Sequence, residues 1–261
     1  MPHSNEHLIV NGKRLEVAWH GPSPDEAPTI LFLHEGLGCV SLWRDFPARV
    51  AEATGCGALV YSRLGYGGSD PCDLPRPLRY MHDEGLAVLP ALLEVAGIHD
   101  CILVGHSDGG SIALIYAGGT PALPVRGVIT EAAHVFCEEI CVEAIQAIQK
   151  PYYEGNLRAK LQKYHGDNVD CAFLGWSDSW LHPEFMDWNL EEYLPGIKVP
   201  LLAIQGKDDQ YGTEAQVESI ARQAGAGAEV VMIDDCGHTP HREQTEITFE
   251  AMVQFIKTLL T

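Results

Sequence analysis

Positive charge is scarce in this chain. Its 261 residues hold 17 Lys and Arg against 36 Asp and Glu, a formal charge of −19. A surface of that sign repels phosphate backbones and anionic headgroups, so neither nucleic acid nor a membrane surface is expected as a partner. Long apolar runs are missing too. None reaches the roughly 18 residues that a membrane-spanning helix needs. The stretch from Met1 to Glu6 has no basic segment leading into an apolar one, so no secretory signal is expected. The eight cysteines stand singly, without a C-x-x-C pair. Zinc-site spacing is therefore lacking, and the expectation is reduced thiols in a cytoplasmic protein with no metal. Internal repeats and low-complexity tracts are also absent.

What is present suits one large core. Apolar residues make up 46% of the chain, enough for a single domain of this length to fold without covalent staples. Residues 8–20 read as a hairpin about Asn11-Gly12, a strong two-residue turn. Short apolar runs at 29–33, 58–61, 101–104, 125–132, 199–205 and 229–233 have the length and the lack of alternation of strands buried on both faces. Helical patterns at 43–54, 78–96, 109–117, 214–224 and 243–260 fall between or after them. Strand–helix alternation following a hairpin predicts an α/β fold with a doubly wound, mostly parallel sheet. The rhythm breaks at 134–194, where no strand-length run occurs and aromatics gather, among them Trp176, Trp180 and Trp188. That segment reads as a helical insertion, with 1–133 and 195–261 forming the core.

One turn carries chemistry. The run 101–104 leads into Gly105-His106-Ser107-Asp108-Gly109-Gly110 and then a helix. This is G-x-S-x-G between a strand and a helix, where a serine on a strained turn presents its hydroxyl at the carboxyl edge of the sheet. The flanking glycines leave room for that turn, and the helix N-terminus adds positive potential. A serine hydroxyl needs a base to become a nucleophile. Twelve histidines are available, and position selects His238, in the loop after the last predicted strand. His241 is expected at the surface. The ring of His106 is expected to turn away from the hydroxyl. The residues leave the orienting acid open among Asp208, Asp209 and Glu131.

These segments resemble the α/β-hydrolase superfamily over nearly the whole chain. The likeness rests on His34-Glu35-Gly36-Leu37-Gly38, on Ser62-Arg63-Leu64-Gly65-Tyr66-Gly67-Gly68-Ser69, on the serine turn and on the Asp–His ending. The resemblance implies an α/β-hydrolase fold with a helical cap at 134–194, and no cofactor. It implies Ser107, His238 and Asp209 as the catalytic triad, since the family places the acid three residues after the glycine ending its strand, here Gly206. It further implies an oxyanion hole built from the backbone N–H groups of Asp108 and Gly36.

The family has glycine where this chain has Glu35. A carboxylate beside an oxyanion hole is repulsive unless paired or turned away; an ion pair with Arg63 is expected, the alternative being a solvated Glu35 that points outward. His34 is expected to brace the same loop by a hydrogen bond. Trp176 and Trp180, with Glu35 and Arg63, are the candidates for substrate contact.

The expected activity is hydrolysis of a carboxylic ester, lactone or thioester of a small molecule through an acyl-enzyme. The alternative is carbon–carbon hydrolysis of a ring-cleavage dienoate. Such enzymes carry tryptophan after the catalytic histidine, whereas Thr239 follows His238 here. A receptor that keeps the fold and turns over slowly is the third reading. Ser107 excludes the branches that use an aspartate nucleophile. Homodimers are common among such relatives.

Overall fold

The computed structural model describes residues 6–119, 121 and 123–261. The reading made for Met1 to Asn5 lies outside them.

Eight strands form one sheet: β1 (Glu6–Val10), β2 (Lys13–His20), β3 (Thr29–Leu33), β4 (Gly57–Tyr61), β5 (Cys101–His106), β6 (Gly127–Glu131), β7 (Leu201–Gly206) and β8 (Glu229–Ile233). Their spatial order is β1-β2-β4-β3-β5-β6-β7-β8. The β1–β2 hairpin is antiparallel, and β2 joins β4 antiparallel. Every pairing from β4 to β8 is parallel. Asn11 and Gly12 both take positive φ, as the predicted tight turn requires.

Alternate residues of the central strands enter two cores. Leu31, Leu33 and Leu103 pack with Leu92 and Ile112 on one face. Ile30, Phe32 and Val104 pack with Val50 and Ile256 on the other. Each such side chain contributes about 1.5–3 kcal/mol on burial, which explains the unbroken apolar runs. The flanking helices are α1 (Phe46–Thr54), α2 (Tyr80–Asp83), α3 (Leu89–Val95), α4 (Asp108–Gly118), α5 (Glu139–Tyr153), α6 (Leu157–His165), α7 (Val169–Trp180), α8 (Glu214–Gln223), α9 (Pro240–Glu243) and α10 (Thr245–Leu259).

Three predicted helices differ in detail. The pattern at 78–96 is not one α-helix. A π-helical turn, Glu84–Val88, separates α2 from α3. Pro90 lies at the start of α3, lacks an N–H and crowds the carbonyl one turn back, so the ladder widens there. The pattern at 43–54 opens with a 3-10 turn, Val40–Trp43, and Arg44 then takes φ 54° before α1 begins. The closing helix is interrupted at Gln244, between α9 and α10.

Helices α5, α6 and α7 fall between β6 and β7, and an isolated bridge pairs Phe136 with Asn189 at the base of that segment. All eight cysteines are free, and six are buried. Among the described residues, no helix is long and apolar enough to cross a membrane.

Candidate active site

The parallel register brings the ends of β5, β6, β7 and β8 to one edge of the sheet, and the site assembles there. Ser107 follows β5 with φ 52° and ψ −118°, a conformation that costs a non-glycine residue energy. Its surroundings enforce the flanking glycines. A Cβ at Gly105 would sit 2.2 Å from the Gly109 carbonyl oxygen, and one at Gly109 would sit 2.1 Å from that of Leu33. The turn is locked by the Ser107 N–H, which donates to the Glu131 carbonyl at 2.8 Å.

His238 arrives from the loop after β8. Its Nε2 lies 2.9 Å from Ser107 Oγ, and its Nδ1 lies 2.8 and 3.0 Å from the two carboxylate oxygens of Asp209. Asp209 follows β7 and is 8% exposed, whereas its neighbour Asp208 is exposed. Burial raises the Asp209 carboxyl, but the hydrogen bond and charge of His238 outweigh it and hold the carboxyl below its ordinary value. The Tyr211 N–H donates to the same carboxylate at 2.8 Å. Asp209 is thus the acid that meets His238. Glu131 is used elsewhere: its Oε2 lies 2.9 Å from both the N–H and the Nδ1 of His241.

That pair corrects one expectation. His241 is not a surface residue. It is 5% exposed and stacks on Trp43 with ring centroids 4.6 Å apart. The buried Glu131 at the end of β6 draws it inward.

The predicted ion pair between Glu35 and Arg63 does not form. The Arg63 guanidinium instead donates to the backbone carbonyls of His34 and, at 3.0 Å, of Glu35, and it lies 3.5 Å from the Asp108 carboxylate. The Glu35 carboxylate turns the other way and meets His106 Nδ1 at 3.5 Å. Arg63 is 2% exposed and does not line the cavity above Ser107, so it is not positioned to touch a substrate there. Burying that guanidinium is offset by carbonyl and carboxylate acceptors around it. His34 braces the loop as expected. Its Nδ1 lies 2.7 Å from the Glu35 carbonyl and its Nε2 lies 3.0 Å from the Arg63 N–H. Burial, reinforced by Arg63, pushes its pKa well down, consistent with a neutral ring donating at one nitrogen and accepting at the other.

Asp108 begins α4, so its N–H is one of the unpaired donors of a helix N-terminus. Its side chain is buried and raised by that burial, while Arg63 and Tyr80 counteract. The Tyr80 hydroxyl donates to Asp108 at 2.7 Å, and Trp180 Nε1 donates to Tyr80 at 3.0 Å. This chain ties α7 to the residue after Ser107. Gly36 faces the site under Trp176. A Cβ there would lie 2.2 Å from Trp176 Nε1, so only glycine fits.

A cavity of about 250 Å³ stands over Ser107, lined by Glu35, Gly36, Trp176, Trp180, Tyr211 and His238 among others. His134, Cys141, Gln210 and Thr239 also line it and were missed in the sequence. Only His134 had a signal, its place just after a predicted strand. Burial first, then the neighbouring His238, pushes its pKa down to about 3, so the ring is neutral. Among the described residues, no group of three or more His, Cys, Asp or Glu could hold a metal ion.

Comparison with known proteins bears on the family and the fold. A Lactobacillus helveticus proline iminopeptidase is 24% identical over 261 residues, covering 85% of this chain and 87% of that protein. The solved enol-lactonase from Burkholderia xenovorans LB400 superposes with a TM-score of 0.75 at 22% identity, covering 96% of this chain and 99% of its own. An esterase from Exiguobacterium antarcticum gives 0.77 at 19% identity, covering 97% and 100%. The model of the Alpha/beta hydrolase family matches residues 30–251. The chain belongs to the alpha/beta hydrolase family.

Proposed function

We propose that this protein is a serine hydrolase that cleaves an uncharged carboxylic ester or lactone through an acyl-enzyme. The observation that carries the reading is the unbroken contact line from Ser107 Oγ through His238 to Asp209 at the floor of the cavity. His238 takes the Ser107 proton as the hydroxyl attacks the carbonyl carbon. Asp209 orients the imidazole and stabilises its cation. The Gly36 and Asp108 amides receive the oxyanion, each such donor being worth roughly 3–4 kcal/mol in the transition state. His238 then protonates the leaving alkoxide, and water releases the acyl group by the same route reversed. Helices α5 to α7 serve as a cap, with Trp176 and Trp180 forming the apolar wall.

The lining supports an uncharged substrate. It carries the Glu35 carboxylate and, among the described residues, no lysine or arginine. A dienoate carboxylate would therefore meet the Glu35 carboxylate and no lysine or arginine, which counts against carbon–carbon hydrolysis. The volume supports a small acyl group, since it falls below the roughly 300–1,000 Å³ of sites for drug-sized ligands.

The test is turnover of p-nitrophenyl esters from acetate to dodecanoate, with Ser107→Ala as control. Short esters should react fastest, and the substitution should lower kcat by roughly 10⁶. Ester turnover that survives Ser107→Ala overturns the reading. Efficient cleavage of proline p-nitroanilide with negligible ester turnover would move it to a peptidase.

A further inference from the structure

We infer that Glu35 and His106 are positioning residues, an ion pair at the cavity wall, its imidazole buried and its carboxylate partly so, that clamps the loop carrying the Gly36 amide to the loop carrying His238. The inference rests on the hydrolase reading for its kinetic consequence, though its electrostatic part stands alone.

The two ring nitrogens of His106 decide its state. Nε2 lies 2.6 Å from the His238 carbonyl oxygen. A carbonyl only accepts, so Nε2 carries a proton. Nδ1 faces the Glu35 carboxylate at 3.5 Å and has no other partner. In a neutral ring that nitrogen would turn a lone pair toward a carboxylate. Protonation removes the repulsion and makes an imidazolium that meets both neighbours. The ring is 1% exposed, so water cannot replace either partner. Other groups around it are consistent with a cation. Glu131 adds negative charge, while the rings of His238 and His241 stand 5.3 and 5.2 Å away by centroid, and His134 lies beyond His238. Burial alone would lower the His106 pKa, but Glu35 and then Glu131 raise it to about 9. Glu35 is held well below the ordinary carboxylate range, burial being outweighed by His106 and His34.

The mechanical consequence follows from connectivity. Glu35 immediately precedes Gly36. His106 immediately precedes Ser107 and grips the His238 backbone. One ion pair thus links the segments bearing the oxyanion donor, the nucleophile and the base. Its loss lets the donor and the base drift apart, and a misplacement of about 1 Å can cost about 10²-fold in rate.

The experiment combines ¹⁵N-histidine spectra of the full chain with kinetics on the best ester. In the unmodified protein one histidine, identified by its loss in His106→Gln, should show both ring nitrogens protonated at about pH 7.5, where an ordinary histidine is neutral. In Glu35→Gln the same ring should be neutral at that pH. Glu35→Gln and His106→Gln should each lower kcat about 10- to 100-fold with KM nearly unchanged. Glu35→Asp should recover part of the loss, and the double substitution should be no worse than either single one. A neutral His106 in the unmodified protein overturns the inference, and that measurement needs no variant to fold. So does an unchanged kcat in Glu35→Gln, or a loss confined to KM, which would make Glu35 a substrate contact. Ser107→Ala in the same assay separates the two readings: turnover that survives it removes the hydrolase reading and leaves the His106 spectrum standing.

Discussion

A methyl group at Gly36 should disable the site through Trp176. The added Cβ would lie 2.2 Å from Nε1, 2.4 Å from Cδ1 and 2.8 Å from Cε2 of that indole. All three atoms belong to a rigid ring on α7, so no flexible end can swing aside. Opening the shortest contact to an ordinary 3.4 Å demands a shift of 3.4 − 2.2 = 1.2 Å, by the loop or by the indole. If the loop moves, the Gly36 amide leaves its place in the proposed oxyanion hole, and kcat should fall about 10²- to 10³-fold. Overpacking should also cost about 1–3 kcal/mol of stability, or about 2–4 °C in Tm per kcal/mol for a chain of this size.

The assay is kcat and KM on a short p-nitrophenyl ester, paired with thermal melts, for Gly36→Ala, Trp176→Leu and the double substitution. Trp176→Leu should restore much of the rate lost in Gly36→Ala, giving a coupling of about 0.5–3 kcal/mol. Gly36→Ala with unchanged kcat refutes the reasoning. So does a rate loss that Trp176→Leu leaves untouched.

Asp209→Asn should lower kcat by about 10⁴-fold by leaving His238 with the wrong partner, whereas the exposed Asp208→Asn should leave the same kinetic constants unchanged. Tyr80→Phe removes the donor to Asp108 and the acceptor of Trp180; it should cost about 1–3 kcal/mol in chemical unfolding, and an unchanged midpoint would mean the chain carries no load. Stability should peak slightly above the ordinary histidine value of 6.5 when melts are run across pH. His34 and His134, lowered, are neutral in the fold, so stability falls as pH drops below 6.5, and Asp209, also lowered, adds to the loss at still lower pH. His106, raised to about 9, contributes fully below 6.5 and is lost as pH rises through about 9. A melting temperature still climbing at pH 9 would contradict the charged His106.

The fold was legible because periodicity reports burial. Ile30, Leu31, Phe32 and Leu33 form an unbroken run because both faces of β3 are covered, and the same holds for β4 and β5. The placement of Ser107 and His238 was legible because Ser107 directly follows β5 and His238 lies in the loop after β8, and parallel strands deliver their ends to one edge. What escaped lies where local pattern and packing disagree. Pro90 falls inside an otherwise helical period, and the π-helical turn resolves the conflict. His241 follows the loop with a polar, surface-like neighbourhood in sequence, yet Glu131 waits at the end of β6, 110 residues away.

Glu35 shows why pairing between charges is harder to read than placement of a serine on a strand-to-helix turn. The expectation of a cationic neighbour pointed to the wrong side chain, since the Glu35 carboxylate faces His106 at 3.5 Å. The partner was misassigned because sequence offers formal charges, and Arg63 is the formal cation nearby. In the fold Arg63 is already committed to two backbone carbonyls and Asp108. A histidine, neutral by default, supplies the charge instead, since its second nitrogen is fixed as a donor by the His238 carbonyl. That choice places the compensating cation directly before Ser107 in the chain rather than at the far side of the loop. On the ion-pair proposal, a glutamate next to Gly36 is favoured by a proton-accepting residue at position 106. A Glu35 retained beside an unprotonatable residue 106 should therefore be less stable than the double replacement of both.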